Sequence, residues 1–208
     1  MKKYTFLFFV LFIALSGFAQ KRFNVGLKAG ICTSQVEGDS YSGFNKVGFD
    51  GGIFLNAKFN DKWTAQFEMI FIQKGSKHIP NPDKNDTRYY YLGLNYMEVP
   101  VLLQYHLQKF IFEAGPGFGF LINSNEYDEN GAVFAALPFH KMEFSGQAGI
   151  CYSIYKNFSI DWRYSNSLFP IRGFKSGEWR WYNPGQRNNV LTFTLTYQFG
   201  TNTDAKSE

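Results

Sequence analysis

The segment between positions 172 and 187 interleaves basic and aromatic side chains, which are the residue types best suited to binding an anion. Guanidinium and ammonium groups pair with anions, and cations also stack over the faces of aromatic rings. The segment therefore suits an anionic sugar or a lipid headgroup, and its residues are candidates for such binding. The candidate contacts are Arg172, Lys175, Trp179, Arg180, Trp181 and Arg187. Alternatively, the rings pack on neighbouring loops or lie at a membrane interface.

A second set of charged residues is spread along the chain, with apolar residues on either side of most of them. Such alternation places charges on one face of a strand and apolar side chains on the other. The set comprises Lys28, Asp50, Lys58, Glu68, Glu98, Glu113, Glu143, Asp161 and Arg163. Because a buried charge is costly unless it is paired, we expect a structural network of ion pairs. A gated ion path is the alternative.

Catalytic residues are not indicated by the sequence. The three histidines, His78, His106 and His140, are far apart in the chain, and neither a Gly-x-Ser-x-Gly nor a His-Glu-x-x-His motif occurs. Ser76 lies near His78, but spacing alone does not define a nucleophile and its base. We predict that the protein is not an enzyme and has no cofactor.

A metal site is likewise not predicted. Asp83, Asn85 and Asp86 have oxygen ligands suited to Ca²⁺, but a solvated loop is the simpler interpretation. Cys32 and Cys151 are expected at opposite ends of their strands, farther apart than the roughly 7 Å between Cα atoms that a disulfide tolerates. Both thiols are therefore predicted to be free.

The elements that position these residues are strands. Residues 191–199 alternate large apolar and small polar side chains without interruption, which is typical of a strand with one apolar face. Seven more segments show related alternation. The predicted strands are residues 24–32, 47–59, 63–74, 95–107, 110–122, 141–153, 158–168 and 191–199.

The connections between these strands alternate in length. Three are tight and four are long, the long ones being residues 33–46, 75–94, 123–140 and 169–188. Short turns on one side and long loops on the other are typical of outer-membrane barrels. The fold predicted is therefore an all-β, eight-stranded antiparallel up-and-down transmembrane β-barrel, with short periplasmic turns and four long outer loops. A soluble lipocalin-like carrier is the alternative.

The ends of the chain complete the predicted organisation. Residues 1–19 read as a secretory signal peptide, residues 20–199 as the barrel domain and residues 200–208 as a polar tail. The aromatic content of 20% is high. The formal net charge is only +4, and this near balance of basic and acidic residues argues against nucleic-acid binding, which would need a clustered basic face. We expect a monomeric barrel in contact with outer-membrane lipid, with no nucleic-acid partner.

The sequence resembles the PorT-like outer-membrane β-barrel family of the Bacteroidota. The resemblance lies in residues 18–20 (Phe-Ala-Gln), 25–30, 96–105 and 113–117 and in the closing strand. It implies a bacterial outer-membrane location and an association with protein export, and it supplies no catalytic residues. We therefore expect an accessory or docking component of envelope export or surface assembly. A ligand-binding or membrane-stabilising barrel that acts through its loops is the alternative.

Overall fold

The computed structural model of the protein describes residues 23–133, 137–173 and 185–199. The strands are β1 (Phe23–Glu37), β2 (Lys46–Lys58), β3 (Trp63–His78), β4 (Tyr90–Leu107), β5 (Phe110–Asp128), β6 (Gly131–Ala132), β7 (Met142–Tyr155), β8 (Phe158–Ser167) and β9 (Arg187–Gln198). One turn of 3-10 helix spans Pro82–Lys84. The described residues include no helix of the length and apolarity needed to cross a bilayer.

Eight of these strands close into an antiparallel barrel, and β6 only extends the tip of β5. Each barrel strand pairs with the next one along the chain, and β1 closes the ring by pairing with both β2 and β9. Lys28, for example, lies opposite Gly52 on β2 and Thr196 on β9. The predicted all-β, eight-stranded antiparallel barrel is confirmed.

The two ends of the barrel differ in their connections. Residues 59–62, 108–109 and 156–157 form short turns at one end, which we call the short-turn end. Asn60 shapes the first of them, since its side-chain oxygen accepts bonds of 2.9 Å from the backbone N–H groups of Lys62 and Trp63. The longer connections gather at the opposite end, the long-connection end. Short turns face the periplasm in outer-membrane barrels, and for this chain that orientation stays a prediction.

The outer surface carries large apolar side chains on every barrel strand. Trp162 and Phe193, for example, stack with their ring centroids 6.0 Å apart, yet they are 50% and 47% exposed. A water-soluble protein rarely exposes continuous apolar surface, whereas a bilayer requires it. Aromatic pairs form a rim at the short-turn end: Trp63–Tyr105, Phe110–Tyr152 and Phe158–Tyr197. The outer surface is therefore a belt built to face lipid.

Side-chain amides mark the end of this belt toward the long-connection end. They form two rows of neighbours across the strands: Gln73, Asn95 and Asn123, and Gln35, Asn189 and Asn166. Asn95 donates a hydrogen bond to Asn123 across β4 and β5. Amides can bond to water and to lipid headgroups but not to acyl chains. The rows therefore mark where the surface leaves the hydrocarbon region.

Several strands continue beyond the amide rows, and the predicted strands were too short there. β1 extends to Glu37, β3 to His78 and β5 to Asp128, while β4 begins at Tyr90. The predicted strands were defined by apolar side chains on the outer face. Outside the bilayer that face meets water, so the apolar side chains turn inward instead and the alternation reverses.

The inward apolar side chains form a packed cluster at this level, which we call the apolar plug. It consists of Cys32, Val36, Ile72, Tyr90, Leu92, Leu94, Tyr96, Leu121, Ile171 and Val190. Val36, Leu92 and Val190 are completely buried. This half of the barrel is built like the core of a soluble protein, and only the charged residues of the interior were predicted from the sequence.

The predicted signal peptide at 1–19 and the polar tail at 200–208 lie outside the described residues. The predicted barrel domain at 20–199 contains all of the barrel strands.

We predict that Leu195→Lys destabilises the folded barrel by about 2–4 kcal/mol, because it places an ammonium group near the middle of the lipid-facing belt. Leu195 is 58% exposed on the outer face. Urea unfolding in lipid vesicles measures the change. Thr196→Lys, one residue along and facing the interior near the short-turn end, is the matched control and should change stability much less. Equal losses in the two variants would contradict the assignment of the faces.

Candidate functional site

Arg163 on β8 is the centre of the larger ion-pair cluster inside the barrel. Its Nε donates to Glu113 Oε1 at 2.6 Å, and its terminal nitrogens donate to Glu68 at 2.8 Å and to Asp161 Oδ2 at 3.0 Å. Lys28 on β1 pairs with Asp161 Oδ2 at 2.9 Å and with Glu68 Oε2 at 3.4 Å. No side chain among these five is more than 3% exposed. We call this group the lower cluster.

Glutamine side chains surround the lower cluster and occupy further acceptors and donors. Gln104 donates to Glu113 Oε2 at 3.0 Å and to Gln66 Oε1 at 2.9 Å. Gln66 in turn donates to Glu68, and Gln147 accepts a bond from Arg163 at 3.4 Å. Buried charges are tolerated when both ion pairs and hydrogen bonds of this kind are present.

A second cluster lies nearer the long-connection end, and its cation is Lys74 on β3. Lys74 pairs with Glu98 on β4 and, at 3.3 Å, with Glu143 on β7. Ser167 donates to Glu143 Oε1 at 2.6 Å, and Asn188 donates to Glu143 Oε2 at 3.1 Å. Lys74 is completely buried. We call this group the upper cluster.

Eight of the nine predicted interior charges lie buried inside the barrel: Lys28, Asp50, Glu68, Glu98, Glu113, Glu143, Asp161 and Arg163. Lys58 differs. It is the last residue of β2, its side chain is 34% exposed, and it pairs with Asp61 in the adjacent turn at 3.3 Å. Inward alternation continues to the end of the strand, but there the interior opens to solvent. The prediction also missed Lys74, although it shares the inward phase of Glu68 on the same strand.

Glycines on the inner face of β5 make room for these large polar groups. A Cβ atom at Gly117 would lie 2.3 Å from the side-chain nitrogen of Gln147 and 2.5 Å from the hydroxyl of Ser145. One at Gly119 would lie 3.2 Å from the Tyr96 ring and 3.3 Å from a Glu98 oxygen. The inward glycines therefore provide the volume that the interior side chains fill.

The interior is thus filled along its length by the lower cluster, the upper cluster and the apolar plug, the last two overlapping where Lys74 lies opposite Leu94. Lys28, Lys74 and Leu92 represent the three groups, and each is at most 2% exposed. An eight-stranded barrel has space for side chains and little else. This arrangement favours the predicted structural network over the ion path.

At the long-connection end, an aromatic stack braces the protruding strands. The ring of Tyr41 lies between those of His78 and Tyr90, with centroid separations of 4.7 Å and 4.9 Å. Tyr90 also donates its hydroxyl proton to Glu126 at 2.8 Å. The stack joins the connection after β1 to β3 and β4.

Asp86 fastens the connection between β3 and β4. Its carboxylate accepts a bond of 3.1 Å from Arg88 Nε and lies 2.7 Å from His78 Nε2. Hydrogen bonds from Arg88, with a further one from His78, lower the pKa of Asp86 to about 2. Since its oxygens already have partners, Asp86 is a poor Ca²⁺ ligand, and the residues suggested with it, Asp83 and Asn85, lie in and just after the 3-10 helix.

Arg172, a predicted ligand contact, has a different position from the one expected. It is 7% exposed, it makes a two-pronged ion pair with Glu126 at 2.7 Å and 3.0 Å, and it stacks over Phe139. Its Nε donates to Gln186 at 2.9 Å. These contacts occupy the guanidinium, so Arg172 anchors the last long connection and is not available to a ligand.

We predict that Arg172→Ala opens this connection locally while the barrel stays folded. Bonds to charged groups contribute about 1.5–3 kcal/mol, so the exchange of the Ile171 and Gln186 amide protons should accelerate about tenfold or more. Both amides are hydrogen-bonded here. Hydrogen exchange read by mass spectrometry provides the measurement. Arg88→Ala, at an exposed arginine of another connection, is the control, and equal effects of the two variants would contradict the anchoring role.

The other loop candidates remain predictions. Lys175, Trp179, Arg180 and Trp181 lie outside the described residues. Arg187 is the first residue of β9 and is half-buried.

A cavity of about 170 Å³ lies inside the short-turn end. Its walls run from Gln108 and Lys156 in the turns to the buried residues Cys151 and Asp161. Cys151, Asp161 and Glu113 bring their possible ligand atoms within 4.8 Å of one another. The sequence did not suggest this group because its members lie on three strands, although Cys151 and Asp161 are direct cross-strand neighbours.

Both cysteines are free, and they lie in different parts of the barrel. Cys32 belongs to the apolar plug, where its thiol donates to the backbone oxygen of Gln73 at 3.2 Å. Cys151 lies beside Glu113, with 3.5 Å between Sγ and Oε2.

The three histidines are not grouped. His78 is held in the aromatic stack, and His106 lies 2.9 Å from the Thr64 hydroxyl at the short-turn end. His140 is in an exposed connection. Ser76, which is close to His78 in sequence, is buried.

Residues 18–173 match the family described as outer membrane protein beta-barrel domain. The chain belongs to this family. Its membership agrees with the lipid-facing belt, and the predicted location in the bacterial outer membrane is confirmed. None of the curated proteins matches the chain at a significant level.

Solved structures of other outer-membrane proteins align with this chain at low sequence identity. The Ail protein of Yersinia pestis, in complex with the heparin analogue sucrose octasulfate, is 14% identical; the match covers 86% of this chain and 99% of Ail, with a TM-score of 0.50. Neisserial surface protein A is 13% identical over 85% of this chain and 97% of its own, with a TM-score of 0.48. OprG of Pseudomonas aeruginosa is 11% identical over 86% and 97%, with a TM-score of 0.43. These similarities concern the fold alone.

Proposed function

We propose that this outer-membrane barrel is non-enzymatic and acts through the surface of its long-connection end, where it docks another component of the cell envelope. The observation that carries the proposal is the filled interior. Charged and apolar side chains occupy it along its length, so the surfaces are left to perform the function.

The long-connection end is built as a rigid support for such docking. Strands β3, β4 and β5 continue beyond the amide rows, and the apolar plug packs between them. The Glu126 carboxylate joins Tyr90 to Arg172, which ties β4, β5 and the last long connection together. Binding residues are often carried on connections that a rigid scaffold holds in place.

The first candidate partner is another envelope protein in a machine for export or surface assembly. The resemblance of the sequence to PorT-like barrels supports this candidate. The barrel itself closes without a second copy, since β1 pairs with β9.

Site-specific photo-crosslinking in intact cells tests the docking surface. A photoreactive amino acid replaces Ile79 or Tyr127, which are exposed at the long-connection end. In the control proteins it replaces Lys109 in a short turn or Leu195 in the belt. We expect one adduct of defined mass from Ile79 and Tyr127 and none from the controls. The same adduct from Lys109 alone would place docking at the opposite end and contradict the proposal.

The second candidate ligand is a sulfated or otherwise anionic sugar. The cations and indoles at Lys175, Trp179, Arg180, Trp181 and Arg187 support it, and the Ail structure shows a barrel of this fold with a sulfated sugar. We expect cells that carry the triple variant Trp179→Ala, Arg180→Ala, Trp181→Ala to bind immobilised heparin several-fold less than wild type. Heat-dependent gel mobility confirms that the variant barrel is folded. Unchanged binding would reject this candidate.

A further inference from the structure

We infer that Glu113, Cys151 and Asp161 form a binding site for a thiophilic divalent cation of the zinc type, reached through the cavity at the short-turn end. The site lies on β5, β7 and β8, inside the lower cluster, and is separate from the proposed docking surface. Four observations support it: the spacing of the ligand atoms, an open carboxylate oxygen, the charge of the cluster and the cavity itself.

The spacing of the ligand atoms fits a tetrahedral metal ion. Zinc binds thiolate sulfur at about 2.3 Å and carboxylate oxygen at about 2.0–2.2 Å, so a tetrahedral site separates these two ligands by roughly 3.6 Å. Cys151 Sγ lies 3.5 Å from Glu113 Oε2. The ligand atoms of all three residues lie within 4.8 Å of one another, at most about 1.2 Å beyond the tetrahedral separation, so together they can provide three corners of the tetrahedron.

One buried carboxylate oxygen at the site has no partner. Asp161 is 1% exposed, and its Oδ2 takes the contacts from Lys28, Arg163 and Thr194. Its Oδ1 is buried without a hydrogen-bond partner among the described residues. A buried oxygen in this state is costly unless something binds it, and Asp161 lines the cavity.

The neighbouring cations orient the ligands and leave the metal position open. Arg163 holds Oε1 of Glu113, and Lys28 holds Oδ2 of Asp161. The other oxygen of Glu113 faces Cys151 and also accepts a bond from Gln104. Polar groups that hold the far side of a ligand in this way are typical of metal sites.

The lower cluster contains more negative than positive charge. Glu68, Glu113 and Asp161 face two cations, Arg163 and Lys28. Asp50 is buried on the same inner surface, two residues along β2 from Gly52, which lies opposite Lys28. With Asp50 included and every group ionised, four carboxylates against two cations leave two negative charges in excess, which either bound protons or a bound cation must offset. Asp50 Oδ1 is also buried without a hydrogen-bond partner among the described residues. Bound positive charge would offset this excess, which is costly in a barrel surrounded by lipid.

Binding exchanges a proton for the metal. The cation forms bonds to Cys151 sulfur, to Glu113 oxygen and to Asp161 oxygen, and the thiol loses its proton to water in the cavity. A water molecule from the same cavity is the fourth ligand. The net charge of the cluster thereby becomes less negative by one.

Cobalt titration of the folded, metal-stripped protein in detergent tests the site. A Co²⁺ ion bound to thiolate gives a charge-transfer absorption band that carboxylates alone do not give. We expect one Co²⁺ per chain with this band, displaced by Zn²⁺. Cys151→Ser should abolish the band and weaken binding at least tenfold. The matched control Cys32→Ser removes the other buried thiol and should leave both unchanged.

Each contrary outcome overturns the inference. No band in the wild type means that the cluster balances its charge with protons alone. A band that survives in Cys151→Ser, or that disappears in Cys32→Ser, places the metal elsewhere. If Cys151→Ser fails to fold, alkylation of Cys151 in the Cys32→Ser protein decides instead: Zn²⁺ should slow it at least tenfold, and an unchanged rate rejects the site.

Discussion

Arg163→Met should destabilise the folded barrel by about 3–5 kcal/mol, because it leaves the carboxylates of a buried ion-pair cluster without their main cation. The guanidinium contacts Glu68, Glu113 and Asp161, and the cluster is at most 3% exposed. Methionine preserves much of the volume but supplies none of the hydrogen bonds. Urea unfolding in lipid vesicles, followed by tryptophan fluorescence, measures the loss.

Two further variants show whether the loss comes from unpaired charge. Lys109→Met removes an exposed cation in a short turn and should change stability by less than about 0.5 kcal/mol. Adding Glu113→Gln to Arg163→Met removes one of the carboxylates left without a cation and should recover part of the lost stability. A stability of Arg163→Met close to that of the wild type would show that the lower cluster does not hold the barrel together.

Lys74→Met is expected to cost a similar amount, about 3–5 kcal/mol, since it leaves Glu98 and Glu143 buried without their shared cation. Lys74 is completely buried and pairs with both carboxylates. Ser167 and Asn188 still bond to Glu143, but neutral donors only partly replace an ammonium group. The same unfolding measurement applies.

Lys77→Met is the matched control for this prediction. Lys77 lies three residues along the same strand, on the outer face beyond the lipid belt, and is half-buried. Its replacement should change stability by no more than about 0.5 kcal/mol. Equal losses of stability at positions 74 and 77 would mean that replacing any lysine of this strand has the same effect, and that the interior ion pairs are not the cause.

The barrel could be predicted because lipid imposes a simple rule on each strand. Within the belt every second side chain must be apolar, so the phase of residues such as Leu195 and Phe193 also fixes which residues face inward. That rule located eight buried charges from sequence alone. It failed where its physical basis ends. Beyond the amide rows the outer face meets water, and the strands continue with apolar residues such as Val36 and Leu92 turned inward.

The partners of the interior residues could not be predicted in the same way. Strand phase shows that Arg163 faces inward, but it does not show that Glu68, 95 positions away, is its partner. The same limit explains why Arg172 was predicted to be an exposed loop cation: the sequence does not show that Glu126 lies opposite to it. The group of Glu113, Cys151 and Asp161 also depends on strand register, which strand phase does not give and which brings the three residues together on β5, β7 and β8.

The filled interior has a direct consequence for function. A barrel whose cross-section is occupied by fixed ion pairs gains stability and a defined shape, but it offers solutes no passage of their own size. In the proposed docking role, the rigid wall holds the long-connection end in place. This separation of a sealed body from an exposed binding surface is the basis of the proposed docking role.

The conductance of the purified barrel in a planar lipid bilayer tests this account most directly. Insertion is verified beforehand by the heat-dependent shift in gel mobility that folded barrels show. The account predicts a silent bilayer at ordinary salt concentrations, because the two clusters and the apolar plug fill the interior. Reproducible unitary current steps from the wild-type protein would contradict it and would make the interior charges a permeation path.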